Sequence, residues 1–147
     1  MNTVTAGELF KRGVEELANG KMIPALGSFE KALELEDNPA FYSYYALCIA
    51  KERGQVRRAI KLCEEALQKD GENTAHYLNL GKILLQAGNR DDAIMVFRGG
   101  LKYGNNLLII DELNKLATRT PPVLSFLHRN NPINKYLGIF LKKLGIR

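Results

Sequence analysis

The sequence predicts an all-α protein built of stacked helical hairpins, and three observations carry that prediction. One stretch is written twice at an offset of thirty-four residues: Gly54 answers Gly88, Ala59 answers Ala93, and Ala66-Leu67 answers Gly100-Leu101. The same offset run backwards lands Gly20, Ala25, Phe29 and Ala32-Leu33 on the equivalent places, so the unit occurs at residues 6–39, 40–73 and 74–106. Within a unit the apolar residues recur at helical spacing, as Tyr77, Leu80, Gly81 and Leu84 do at i, i+3, i+4 and i+7. A period of this length denotes a pair of helices that buries its apolar face only by stacking on neighbours.

The chain has 147 residues, 46% of them hydrophobic and 25% charged, which suits one globular domain spanning residues 1–147. Its first twenty residues include Glu8, Lys11, Arg12, Glu15 and Glu16 and hold no apolar run of signal-peptide length, so a cytoplasmic location is expected. Cys48 and Cys63 fall inside expected helices, with neither metal-site spacing nor disulfide-scaffold density, and are expected to be reduced. The net charge of +5 is unevenly spread. Residues 1–97 hold twelve Lys or Arg against fourteen Asp or Glu, a balance of −2, and residues 98–147 hold nine against two, a balance of +7. A basic tail of that kind favours acidic protein surfaces, nucleic acid or anionic lipid, or simply solubilises the last helices.

The first unit is the loosest copy in its first helix, where Arg12 and Glu16 stand at the places of Ala46 and Ala50 or of Leu80 and Leu84. A terminal repeat has a neighbour on one side only, which relaxes the demand for apolar residues. Its second helix has Pro24 in the first turn, where a missing N–H costs little, followed by Ala25, Leu26, Phe29, Ala32 and Leu33 at core spacing. The second unit starts after Asn38-Pro39, a capping residue followed by an N1 proline, and turns at Gly54-Gln55. Its second helix carries Ala59, Ile60, Cys63, Ala66 and Leu67, which puts Cys63 where the other units have Phe29 and Phe97, as a small core residue. In the third unit a helix is expected over residues 74–87. After Gly88-Asn89 a second helix follows, with Asp91 and Asp92 in its first turn, where their charge complements the helix dipole. Gly81 against Ala93, and Gly100 toward the next helix, are expected to let helices cross closely while Phe97 fills the space between hairpins.

Residues 107–147 are expected to form capping and basic amphipathic helices. Asn106 is the N-cap of a stripe running Leu107, Ile110, Leu113, Leu116 and Ala117, which would cover the last hairpin. Beyond Thr120-Pro121-Pro122 a short helix through Val123, Leu124, Phe126 and Leu127 leads to Asn130-Asn131-Pro132. A last helix then places Ile133, Tyr136, Leu137, Phe140, Leu141 and Leu144 on one face, with Lys135, Lys142 and Lys143 off it. That helix could fold back on the stack, pair two chains into a homodimer in place of a monomer, or lie on an anionic membrane surface.

The set Tyr77, Leu80-Gly81, Leu84, Ala93, Phe97 and Gly100, with its partners one period away, resembles the tetratricopeptide repeat, or TPR, family across residues 6–106. The resemblance implies a right-handed superhelix of stacked hairpins, an α-α superhelix whose first helices line a concave groove. The groove would then be faced by Phe10, Val14 and Leu17 from the first unit, by Phe41, Tyr44, Cys48 and Lys51 from the second, and by Ala75, Leu78, Lys82 and Leu85 from the third. Some members of the family grip a chaperone's C-terminal carboxylate with a clamp of two lysines, two asparagines and an arginine. The matching places here hold Phe10, Val14, Tyr45, Ala75 and Asn79, so that clamp is absent. A mostly apolar groove is instead expected to take an amphipathic helix, an extended apolar peptide or part of this chain, unless its residues merely pack between hairpins.

No catalytic or metal-binding arrangement emerges. His76 and His128 are the only histidines and show neither metal-ligand spacing nor a nucleophile–base arrangement. Glu15-Glu16 and Glu64-Glu65 fall on outer helix faces, where solvation rather than acid–base work is expected, and no glycine loop precedes a lysine to cradle phosphate. The expected function is thus non-catalytic and cofactor-free: a protein–protein interaction module, adaptor, scaffold or chaperone-like, with no transmembrane segment. The alternative is nucleic-acid or anionic-surface binding through Arg129, Lys135, Lys142, Lys143 and Arg147. The nearby aromatics lie on the apolar stripe rather than among these charges, which disfavours a base-stacking platform.

Overall fold

The computed structural model describes residues 3–118 and 142–145, and among these it shows seven α-helices and no strand. They fall into two compact units, one ending at Gly71 and the other beginning at Glu72. The first holds α1 (Ala6–Ala18), α2 (Met22–Leu35), α3 (Pro39–Arg53) and α4 (Val56–Lys69), each packed on the next. The second holds α5 (Thr74–Gln86), α6 (Arg90–Leu101) and α7 (Leu107–Ala117), with α6 packed on both of its neighbours. The sequence repeat is thus a structural repeat, one helical hairpin per thirty-four residues. The helices expected between residues 119 and 141, and the basic residues Arg129, Lys135 and Arg147, lie outside the described residues.

Each hairpin turns on a glycine in the left-handed region, with φ of +74° at Gly20, +65° at Gly54 and +82° at Gly88. A side chain there would strain the backbone, and this explains why glycine recurs at the period. The first helix of each hairpin is also started by a polar side chain. Thr5 and Glu8 form a capping box at α1, with the Glu8 N–H donating to Thr5 Oγ1 (3.2 Å) and the Thr5 N–H donating to Glu8 Oε2 (2.8 Å). Asn38 accepts from the Ala40 N–H (3.0 Å) at α3, and Asn73 from the Ala75 N–H (3.1 Å) at α5. The second helices have no such cap.

Packing inside the hairpins rests on exchange of bulk between paired positions. A Cβ on Gly13 would lie 2.5 Å from the Phe29 ring, and one on Gly81 would lie 2.1 Å from the Phe97 ring. Both rings are fully buried, so neither can swing away. The atoms nearest a Cβ at Gly81 are thus those of the Phe97 ring. A side chain on the second helix reaches across to the first, and the aromatic at that place is the one long enough to meet the glycine. In the middle hairpin the same two positions are Leu47 and Cys63, both buried, so bulk has moved from the second helix to the first.

Helix α3 is buried around most of its circumference, from Phe41 through Ala50, because α2 packs on one side of it and α4 on the other. Its partner α4 is two-faced: Ala59, Ile60, Cys63, Ala66 and Leu67 are buried while Arg57, Arg58 and Lys61 are exposed. In α1 the polar Glu16, at an apolar place in the other hairpins, accepts a 2.7 Å hydrogen bond from the hydroxyl of buried Ser28 on α2. The departure of the first repeat from the pattern is thus compensated locally.

Helix α7 corrects the expected capping stripe. Its buried residues are Ile109 and Leu116, whereas Leu107 and Leu108 are 78% and 60% exposed and Ala117 is exposed. The helix start fixes this rotation. Asn106 Oδ1 accepts from the N–H groups of Leu108 (3.0 Å) and Ile109 (3.3 Å), and its Nδ2 donates to Thr74 Oγ1 (3.1 Å). So anchored, Ile109 points at Gly100, where a Cβ would meet Ile109 Cδ1 at 2.9 Å and Tyr77 Cβ at 2.6 Å. Arg90 closes the far end by donating to the Leu116 carbonyl at 2.6 Å. Ile109→Ala is therefore expected to cost about 2–5 kcal/mol in urea denaturation, the range for an emptied core site. Leu107→Ala should stay within about 0.5 kcal/mol of the parent, as exposed positions do. The reverse order would return the buried face to the stripe expected from sequence.

Candidate functional site

The eleven residues singled out in the sequence lie on the first helices of the hairpins, and the helical period groups them. Phe10, Val14 and Leu17 follow one face of α1, and Phe41, Tyr44, Cys48 and Lys51 one face of α3. Ala75, Leu78, Lys82 and Leu85 occupy the same register on α5. Because α1 and α3 belong to the first unit and α5 to the second, each set is described within its own unit.

In the first unit the structure brings three of these residues into one aromatic cluster. Phe10 stacks on Phe41 with ring centroids 4.5 Å apart and planes at 19°, and meets Tyr44 edge to face at 5.0 Å. Phe29 of α2 underlies both, 5.8 Å from Phe10 and 5.7 Å from Tyr44. Offset and edge-to-face pairs of this kind are worth about 0.5–1.5 kcal/mol each beyond the area they bury. The cluster is graded from inside to outside: Phe29 and Phe41 are buried, Phe10 and Tyr44 half-buried. Val14 and Leu17 are half-buried farther along α1, Cys48 is buried, and Lys51 is exposed at the C-terminal end of α3. Sequence reasoning placed Phe29 in the core, and its second role as the base of the cluster follows from Gly13, which lets that ring lie against α1.

In the second unit Leu78 is buried, and Ala75, Lys82 and Leu85 are half-buried along α5. On another side of this helix Tyr77 is buried and stacks on exposed Tyr103 at 5.6 Å. The Tyr77 hydroxyl is raised above its ordinary pKa by burial first, then by the neighbouring Tyr103.

Electrostatically the first-unit face is a place for packing rather than for proton transfer or nucleophilic attack. Burial raises the Tyr44 hydroxyl. Burial also pushes the Cys48 thiol up to about 12, with Glu52 adding to the shift and Lys51 opposing it. Cys63 is raised further still, again by burial first, with Glu64 adding to it. Neither sulfur is a thiolate near neutral pH, which is the form that attacks or ligates. Among the described residues no three His, Cys, Asp or Glu side chains come together as a metal site, and no helix is long and apolar enough to cross a membrane. A thiol reagent such as Ellman's at pH 8 is expected to modify neither cysteine in the folded protein and both in denaturant. Prompt reaction of one thiol without denaturant would contradict the packing of α3 and α4 described above.

The geometry can be set beside known proteins. Residues 50–106 match the family model described as tetratricopeptide repeat. None of the curated protein sequences matches the chain. Among solved structures, the first TPR of Spaghetti (RPAP3) bound to an HSP90 peptide, SRMEEVD, superposes with a TM-score of 0.61 at 19% identity, covering 80% of this chain and 96% of that one. The Sgt2 TPR domain from Aspergillus fumigatus gives 0.56 at 18% identity, covering 80% and 85%. Yeast Tom70 gives 0.50 at 23% identity, covering 75% of this chain and 23% of its own length.

Proposed function

From the match of residues 50–106 to the tetratricopeptide repeat family model and from the fold its hairpins share with TPR domains, we propose that the chain is a non-catalytic protein-interaction module of that family. Its ligand is an apolar or amphipathic segment of another protein, held on the exposed side of the first helices. The observation that carries this reading is the half-buried pair Phe10 and Tyr44 above a buried aromatic base. Rigid aromatic side chains presented on helices offer large contact area at little cost in conformational entropy, which is how interaction anchors are built.

The RPAP3 domain is bound to a peptide that ends in acidic residues. On this chain the places that would hold a carboxylate clamp carry Phe10, Val14, Tyr45, Ala75 and Asn79, four of which have no cationic or amide group to offer. The ligand proposed here is accordingly apolar, with the face of α5 bearing Ala75, Leu78 and Leu85 extending the same preference in the second unit. Lys51, exposed at the end of α3, suits an acidic residue at the edge of the ligand.

Tyr44→Ala tests the reading with least disturbance, because Tyr44 is half-buried whereas Leu78 is buried, where a glutamate would unfold the site rather than report on it. Fluorescence anisotropy with a labelled sixteen-residue amphipathic helix bearing leucines at i, i+3, i+4 and i+7 should show affinity falling by about tenfold in Tyr44→Ala, equivalent to the ~1.4 kcal/mol expected of an aromatic contact. The far-ultraviolet helical signal should be retained. Equal affinity in parent and variant would remove the ligand from this face.

A further inference from the structure

A concave feature of the first unit shares no residue with the aromatic cluster. It is an open cleft of about 600 Å3 bounded by α2 and the turn after it, α3 and α4. Its apolar lining is Leu33 and Leu62, and two tyrosines of α3, Tyr42 and Tyr45, also line it. Around these stand four carboxylates, Glu30, Glu34, Asp37 and Glu65, against one guanidinium, Arg58, a balance of −3.

Not all of these charges are free. Glu30 is neutralised by Arg53 at 2.7 Å, and Asp37 accepts a hydrogen bond from the Tyr42 hydroxyl. Glu34 and Glu65 have no hydrogen bond or ion pair among the described residues. Among the described residues Arg58 is held by no carboxylate either: it donates to Gln55 Oε1 at 3.2 Å and lies with its Cζ 5.7 Å from the centroid of Tyr45. Lys69 lies over the Tyr42 ring in the same manner, its Nζ 5.6 Å from the centroid. Two of the chain's own cations therefore already rest on tyrosine faces at cation–π distance. The negative field reaches into the cleft, since the Tyr42 hydroxyl is pushed up to about 12, first by its hydrogen bond to Asp37, then by burial, and further by the charges of Asp37 and Glu65.

The geometry points to this cleft as a docking site for a basic segment of a partner protein, one that alternates basic and apolar residues. An arginine or lysine of the segment lays its aliphatic stem along Leu33 and Leu62 and sets its charge between Glu34 and Glu65. It takes the tyrosine face that Arg58 now covers. A long cationic side chain fits because its stem is apolar and its head charged, matching a cleft whose lining is apolar and tyrosine and whose surrounding charge is acidic. Charge complementarity selects this occupant over an acidic peptide, which would meet two carboxylates that are unpaired among the described residues. This surface is separate from the α1 and α3 face proposed above, and the inference does not rest on that reading.

The test uses the full chain and a fluorescein-labelled hexapeptide of alternating arginine and leucine. In anisotropy titrations the parent should bind it, and Glu34→Gln/Glu65→Gln should raise the Kd about tenfold or more. A charge-matched control, Glu15→Gln/Glu52→Gln, removes two exposed carboxylates elsewhere on the same unit and should change the Kd less than twofold. The isosteric substitutions leave the apolar lining intact, and an unchanged helical signal confirms that each variant is folded. No binding by the parent, equal weakening by both double variants, or equally tight binding of an alternating glutamate and leucine peptide would each overturn the proposal.

Discussion

The structure depends on the close approach of a glycine on one helix to a buried phenylalanine on its hairpin partner. With Gly13 under Phe29 and Gly81 under Phe97, no side chain separates helix backbone from ring, and the two helices settle at the distance that the ring sets. A bulkier residue in either place would push the pair apart and change what each helix offers to its neighbours. In the middle hairpin buried Leu47 and Cys63 stand at the two positions that a glycine and a phenylalanine occupy elsewhere. Sequence identity at these positions is not what repeats. The summed bulk repeats.

The two proposed surfaces follow from that constraint. Because Gly13 lets Phe29 lie under α1, the ring reaches far enough to support Phe10 and Tyr44 from beneath, and those two are left half-exposed on a rigid base. Packing of α2 and α4 on α3 buries its midsection, from which Tyr42 and Tyr45 line the cleft while Tyr44 joins the aromatic cluster. One helix thereby serves two surfaces of different chemistry, one aromatic and apolar, the other acidic.

Much of this was legible in the sequence, because the hairpin period is enforced by backbone geometry. Gly20, Gly54 and Gly88 adopt positive φ, which favours glycine at each turn, and Thr5, Asn38, Asn73 and Asn106 sit before helices whose first N–H groups their side chains satisfy. Helix α7 was legible in extent but not in rotation. Its apolar residues Leu107, Leu108, Ile109 and Ile110 are consecutive, so composition alone fits several faces, and the choice is made by Asn106 reaching Thr74, thirty-two residues away in sequence. That the Phe97 ring lies directly on Gly81 was not legible for a similar reason, since spacing identifies a small residue without saying which large one meets it. The acidic cleft was invisible because its lining comes from three helices, and carboxylates on outer faces read singly as solvated. Only the register of Tyr42 with Tyr45, three residues apart, hinted that α3 presents a second aromatic face.

The central claim is that glycine and phenylalanine act as one packing unit, and a double-mutant cycle at Gly81 and Phe97 tests it most directly. Gly81→Ala alone gains up to about 1 kcal/mol of helix propensity, so a net destabilisation of about 1–3 kcal/mol in urea unfolding must come from the clash with the ring. In the Phe97→Leu background, where the ring is gone, the same substitution is predicted to be neutral or stabilising, leaving a coupling of at least about 1 kcal/mol between the two sites. Additive effects, with Gly81→Ala costing the same in both backgrounds, would contradict the account.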